Sequence, residues 1–204
     1  ESHGDSIGAV VDGLAPGIKI NHEYIKNCLN LRRPYGKIST SRKESDEYQI
    51  VSGEYCGYTT GTPLTLIIKN TAQKSSDYDA LSDTPRPSHA DYTAECKYHG
   101  FQDPRGGGHF SGRITAPLLA VGALIAAALM DKGIKIGTHI AECAGIPDRK
   151  FENTETDIDF LNVKLFAVLD EEQCKKMEEA ILLAKSEQDS VGGILETAIT
   201  GIPA

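Results

Sequence analysis

The sequence predicts an α+β fold in a single domain over residues 1–204, and two observations carry that prediction. Short apolar runs separated by glycine and proline turns read as antiparallel, hairpin-like strands. The helical stretches stand apart from them instead of alternating with them as a doubly wound parallel sheet requires. No internal repeat or low-complexity tract divides the chain, and its length supports one substantial core.

In order along the chain, Ile7 to Val11 is a short strand ending at the Asp12-Gly13 turn signal. Asn21 can cap a helix that puts Ile25, Cys28 and Leu29 on one face, and an arginine cluster begins where that helix ends. Tyr48 to Val51, Glu54 to Tyr58 and Leu64 to Lys69 read as three strands, joined at Ser52-Gly53 and around Gly61-Thr62-Pro63. From Asn70 to about Gly112 no periodicity is sustained, and a segment of that length inside a compact domain is usually functional. Ile114 to Met130 then runs for 17 residues without a charge. Pro117 and Gly122 within it favour a core helix, buried nearly all round, over a membrane span. Ile134, Ile136, Thr138 and Ile140 alternate with Lys135, Gly137, His139 and Ala141, which is strand periodicity and gives His139 a structural or surface place opposite the isoleucines. Asp170 to Lys185 returns to helix, with Cys174, Met177, Ile181 and Ala184 on one face, and Ile194 to Thr200 is a last strand.

Composition narrows the function classes. The chain is 40% hydrophobic with a formal net charge of −8 and a pI near 5.2, which argues against nonspecific binding to nucleic acid or to an anionic membrane. Five widely spaced cysteines without a Cys-x-x-Cys pair predict neither a disulfide framework nor a zinc or other metal site, and they point to the reducing cytoplasm. No targeting segment is visible, and both ends read as cut, the first residues being Glu1-Ser2-His3-Gly4.

Within that acidic background the basic residues are local. Arg32, Arg33, Lys37, Arg42 and Lys43 fall within 12 positions free of acid. A solvated loop after a helix is the plain reading of such a cluster, but the arginine fork also grips carboxylate and phosphate in bidentate fashion. A second group, Arg86, Lys97, Arg105 and Arg113, surrounds Gly106-Gly107-Gly108 just before the apolar helix. Three glycines can be a flexible loop. With basic residues and a helix start around them they also make an anion site. Neither the Gly-Lys-Ser/Thr of a P-loop nor a Gly-x-Gly-x-x-Gly fingerprint is present, so ATP and NAD have no direct support. His3 and His89 each follow a serine outside regular structure, where a general acid can meet a ligand. The residues alone therefore predict a small anionic ligand and a proton donor.

A collinear set of motifs goes further. Glu1-Ser2-His3-Gly4, Arg32-Arg33-Pro34, Thr59-Thr60-Gly61-Thr62-Pro63, Asn70-Thr71, Arg86-Pro87-Ser88-His89-Ala90-Asp91-Tyr92, Arg105-Gly106-Gly107-Gly108, Ser111-Gly112-Arg113 and Asp189-Ser190-Val191-Gly192-Gly193 resemble the chorismate synthase family from end to end. Departures from the commonest pattern are His109-Phe110 for Arg-Ser, Ile114 for Glu, Ser88 for Gly, and Lys37 for a frequent arginine.

The resemblance implies a β-α-β sandwich with antiparallel sheets packed around central helices, in a chain a little over half the usual length. It implies a lyase of the shikimate pathway to aromatic amino acids: anti-1,4-elimination of phosphate from 5-enolpyruvylshikimate 3-phosphate, with reduced FMN required but no net redox change. By the same resemblance His89 acts on the departing phosphate and His3 protonates the reduced flavin. Ser2, Arg32, Arg33, Lys37, Arg42, Arg86 and Arg113 line the substrate site, and His109, Phe110 and Ser111 contact the flavin. An aspartate acting as flavin base, and further flavin contacts, belong to the part of the family fold outside this chain. A cytoplasmic homotetramer is implied, with NADPH a candidate reductant of the flavin. Two alternatives stay open: a flavin-independent phosphatase or phosphotransferase using His89, and a non-catalytic flavin- or anion-binding module.

Overall fold

The computed structural model describes residues 1–39, 45–71, 84–103 and 105–203. Contacts group them into two compact units, Glu1–Leu29 with Lys43–Leu124, and Asn30–Arg42 with Ile125–Ala204.

The first unit is organised by β5 (Leu64–Lys69), which lies between β1 (Ser6–Val11) and β2 (Tyr48–Ser52) in an antiparallel sheet. Its strand alternation places Leu64, Leu66 and Ile68 on one face, and all three are fully buried. They pack with Ile7, with Ile25 and Leu29 of α1 (His22–Arg32), and with Ala116, Ala120, Ala123 and Leu124 of α3 (Thr115–Met130). Small residues on α3 let its backbone come close to the sheet, so the predicted amphipathic face of α1 and the β5 stripe share one core. Asn21 caps α1 as predicted, its Oδ1 accepting from Tyr24 N at 3.0 Å.

Three expectations change here. The run Glu54 to Tyr58 is two short strands, β3 (Glu54–Tyr55) and β4 (Tyr58–Thr59), reversed through Cys56 and Gly57, both at positive φ. The aperiodic segment contains a helix, α2 (Asp91–Tyr98), of which only Ala94 is buried. A helix with one buried residue has no apolar stripe to read, and its end is set by His99 in the left-handed region. Finally, α3 is not buried all round: Leu118 is 62% and Met130 46% exposed, so the helix carries an open apolar flank. By length and composition the helical stretch Gly112–Met130 could cross a membrane, but its buried alanine face packs on a sheet.

The second unit is built on β6 (Lys135–Cys143), flanked by β7 (Ile146–Pro147) and β8 (Gly193–Thr200). β6 and β8 pair antiparallel from Lys135↔Thr200 to Cys143↔Gly193. α4 (Thr154–Leu161) covers the Gly137 side of β6, where a Cβ would meet the Ile158 side chain. α5 (Glu171–Ser186) buries Met177 against Cys143 and Val168, with Cys174 and Ile181 beside them as the periodicity predicts. Asn153 and Asp170 cap α4 and α5 by accepting from backbone N–H groups.

The isoleucine face of β6 is the more open one, since Ile136 is exposed while His139 is buried to 1%. His139 reaches the buried Asp148 carboxylate through Nδ1 at 2.7 Å and Glu196 of β8 through Nε2 at 3.0 Å, with Phe151 edge-on to its ring. Asp148 also accepts from Leu169 N, Asp170 N and Arg149 N, so one carboxylate ties the strand to the start of α5. That network confirms a structural His139 and removes the surface alternative.

Candidate active site

The site is assembled in the first unit from two segments a hundred residues apart. Ser2 and His3 are both buried, at 2% and 4% exposure. Ser2 N donates to Gly108 O, and Ser2 Oγ lies 3.4 Å from the carbonyls of both Arg105 and Gly106. Carbonyls only accept, so the hydroxyl proton turns to them and Oγ accepts from His3 Nδ1, 3.1 Å away. Gly106 (φ 59) and Gly108 (φ 52) hold left-handed backbone, and a Cβ on Gly106 would fall inside the His3 ring. The triple glycine is therefore a seat for this histidine and not a flexible loop.

The three arginines around the turn are paired with carboxylates. Arg113, 8% exposed, binds the Asp46 carboxylate through Nη1 and donates from Nε to Asn70 Oδ1 at 3.3 Å. Arg86 grips Asp91 with Nε at 2.8 Å, Nη2 at 2.9 Å and its backbone N–H at 2.9 Å. Those guanidinium hydrogen bonds, against some desolvation, hold the Asp91 carboxyl down at about 2. Arg105 does the same to Asp103 through Nε and Nη2, and the Asp103 carboxyl is lowered for the same reason. Each of these three arginines is oriented by a carboxylate, which reduces the local charge while fixing where the fork points.

His89 lies in the exposed turn before α2, and its Nδ1 is 3.0 Å from the Pro87 carbonyl. That acceptor requires a proton on Nδ1, leaving Nε2 as the nitrogen that can meet a ligand. His109 and Phe110 are exposed, edge to face with centroids 5.9 Å apart, and Tyr98 lies beside Phe110. With Arg86, Phe101, Gln102 and Gly107 they line a cavity of about 810 Å³. Ser111 caps the short turn Gly112–Ile114, accepting from Arg113 N.

Arg32, Arg33 and Lys37 belong to the second unit, the arginines half-buried at the end of α1 and Lys37 exposed. Arg42 lies outside the described residues. Sequence reasoning missed Asp46, Asp91 and Asp103 as arginine partners. The last two were legible as acids close in sequence to Arg86 and Arg105, whereas Asp46 is 67 residues from Arg113 and had no signal. No group of three or more His, Cys, Asp or Glu able to hold a metal occurs among the described residues.

Known proteins resemble this chain along its whole length. The family model for chorismate synthase matches residues 1–204. Chorismate synthases of Pyrococcus abyssi and of a Nitratiruptor species are 41% and 43% identical over the whole chain, which spans 56% of each relative. A crystal structure of chorismate synthase superposes with a TM-score of 0.73 at 26% identity, covering all of this chain and 56% of that one. The chain thus spans about half the length of the curated relatives it matches, and with the motifs collinear, the fold shared and the Ser2-His3 segment seated on the glycine turn, it belongs to the chorismate synthase family.

Proposed function

We propose that the complete protein catalyses the anti-1,4-elimination of phosphate from 5-enolpyruvylshikimate 3-phosphate to give chorismate, and that this chain supplies part of its site. The observation that carries the reading is the seat of His3 on Gly106, with Ser2 tied to the same turn. A buried histidine of fixed orientation beside backbone left-handed at three successive glycines is built for proton handling at a ligand.

Elimination breaks the carbon–oxygen bond to phosphate and removes a proton from the ring, so a proton or hydrogen bond is needed on the leaving oxygen. His89 supplies it from Nε2, since Nδ1 is held by Pro87. His3, buried and aligned by Ser2, holds the proton destined for the flavin. Arg113 and Arg86, oriented by Asp46 and Asp91, hold substrate anions; the corresponding roles of Ser2, Arg32, Arg33, Lys37 and Arg42 rest on the family resemblance. The cavity bounded by Tyr98, Phe101, His109 and Phe110 has the size and aromatic walls that suit a planar ring system, so His109 and Phe110 are the residues there to hold FMN, while the part of Ser111 rests on the family resemblance. Reduced FMN, when bound, supplies reducing character to a reaction with no net redox change. The same reading takes the complete enzyme as a cytoplasmic homotetramer with NADPH as candidate flavin reductant.

The test is anaerobic release of chorismate by the full-length protein with and without reduced FMN. Chorismate only with reduced flavin is expected. No chorismate with the flavin reduced refutes the proposal, and phosphate release without flavin would favour the phosphatase alternative.

A further inference from the structure

Asn70 belongs to the Asn70-Thr71 motif, to which the proposed chemistry gives no role, yet its side chain joins the two halves of the site. It follows the last residue of β5. Its Nδ2 donates to Gly4 O at 2.8 Å and to Glu1 O at 3.0 Å, the two carbonyls that bracket Ser2 and His3. Its Oδ1 accepts from Arg113 Nε at 3.3 Å, and its backbone N donates to Asp5 O at 3.1 Å. The amide orientation is forced, because carbonyls cannot donate and Nε cannot accept. One planar group, rooted in the buried central strand, thus fixes the height of the turn carrying His3 and the direction of the Arg113 guanidinium.

We infer that Asn70 is a positioning residue for catalysis, acting through His3 on turnover and through Arg113 on anion binding; the inference rests on the functional reading above. A residue that merely stabilised the fold would slow every variant alike. One that acts through His3 and Arg113 loses its effect when those side chains are gone. Asn70→Ala in the full-length enzyme is expected to lower kcat about tenfold or more and to raise KM for the phosphorylated substrate by a similar factor, within the roughly 100-fold that a misplacement of about 1 Å can cost.

In the His3→Ala background the kcat loss should shrink to within about twofold, and in the Arg113→Ala background the KM rise should do the same. Equal effects in all three backgrounds, or an unaltered Asn70→Ala enzyme, overturn the inference. Asn70→Asp keeps the shape and the acceptor for Arg113 but removes both donors, and it enters the same cycle should Asn70→Ala fail to fold. Amide deuterium exchange decides the matter without turnover. Peptides covering residues 1–6 and 105–114 should exchange at least about fivefold faster in the variant, the ratio expected from losing one hydrogen bond; unchanged exchange overturns the inference. Wild-type enzyme that releases no chorismate would sink the functional reading and leave this exchange test standing.

Discussion

Replacing Asp91 by Asn removes the charge from the carboxylate that orients Arg86 while keeping its shape. In the folded protein three donors of Arg86 converge on this group, and its carboxyl sits at about 2 against an ordinary 3.8. At 1.36 kcal/mol per pH unit the difference is worth roughly 2 kcal/mol of folding stability at neutral pH. With about a quarter of the Asp91 side chain exposed, solvent screening takes the realised value to between about 1 and 2 kcal/mol. Because the folded value is the depressed one, this stability is fully present above the ordinary carboxyl range and drains away as pH falls toward 2. About half should remain at pH 3. Urea unfolding of full-length wild type and Asp91→Asn, repeated from pH 7 down to pH 3, reads the gap directly. KM for the anionic substrate should rise as the Arg86 fork loses its orientation. A gap that is absent at pH 7, or that stays constant to pH 3, would refute the account of the pair.

Other perturbations separate the remaining parts. Gly106→Ala drives a methyl group into the His3 ring at a left-handed position; kcat should fall about 100-fold or more while the strain costs only about 1–3 kcal/mol of stability, checked by steady-state kinetics and thermal melting. His89→Ala should slow elimination roughly 100-fold or more with FMN affinity nearly unaltered, measured by stopped flow and flavin titration. Asp148→Ala leaves His139 and three backbone N–H groups without their acceptor; a loss of about 3–5 kcal/mol in chemical unfolding is expected, and a change under 1 kcal/mol would show that the cluster is not cohesive.

Regular elements with a strong apolar period were legible from the sequence because burial writes itself into spacing. Leu64, Leu66 and Ile68 announced β5, and Cys174, Met177 and Ile181 announced α5. Elements held by local polar contacts carried no such mark: α2 buries only Ala94, and α4 turns Asp157 inward to Arg149 as well as Ile158 to the core. The open flank of α3, with Leu118 and Met130 exposed, escaped because an alanine-rich helix looks apolar on every side whether or not every side is covered.

What the sequence determined by itself is the family, through collinear short motifs, together with the residue types that handle anions and protons. Only the tertiary structure decided which of them meet. Backbone freedom at Gly106 explains why His3 fits against residues a hundred positions away, and Asp46, Asn70 and Asp91 aim arginines that spacing alone presents as loose charge. Spacing records which face of a helix or strand is buried; it does not record long-range hydrogen bonds, whose partners are chosen when β5, the N-terminal turn and the glycine turn pack together.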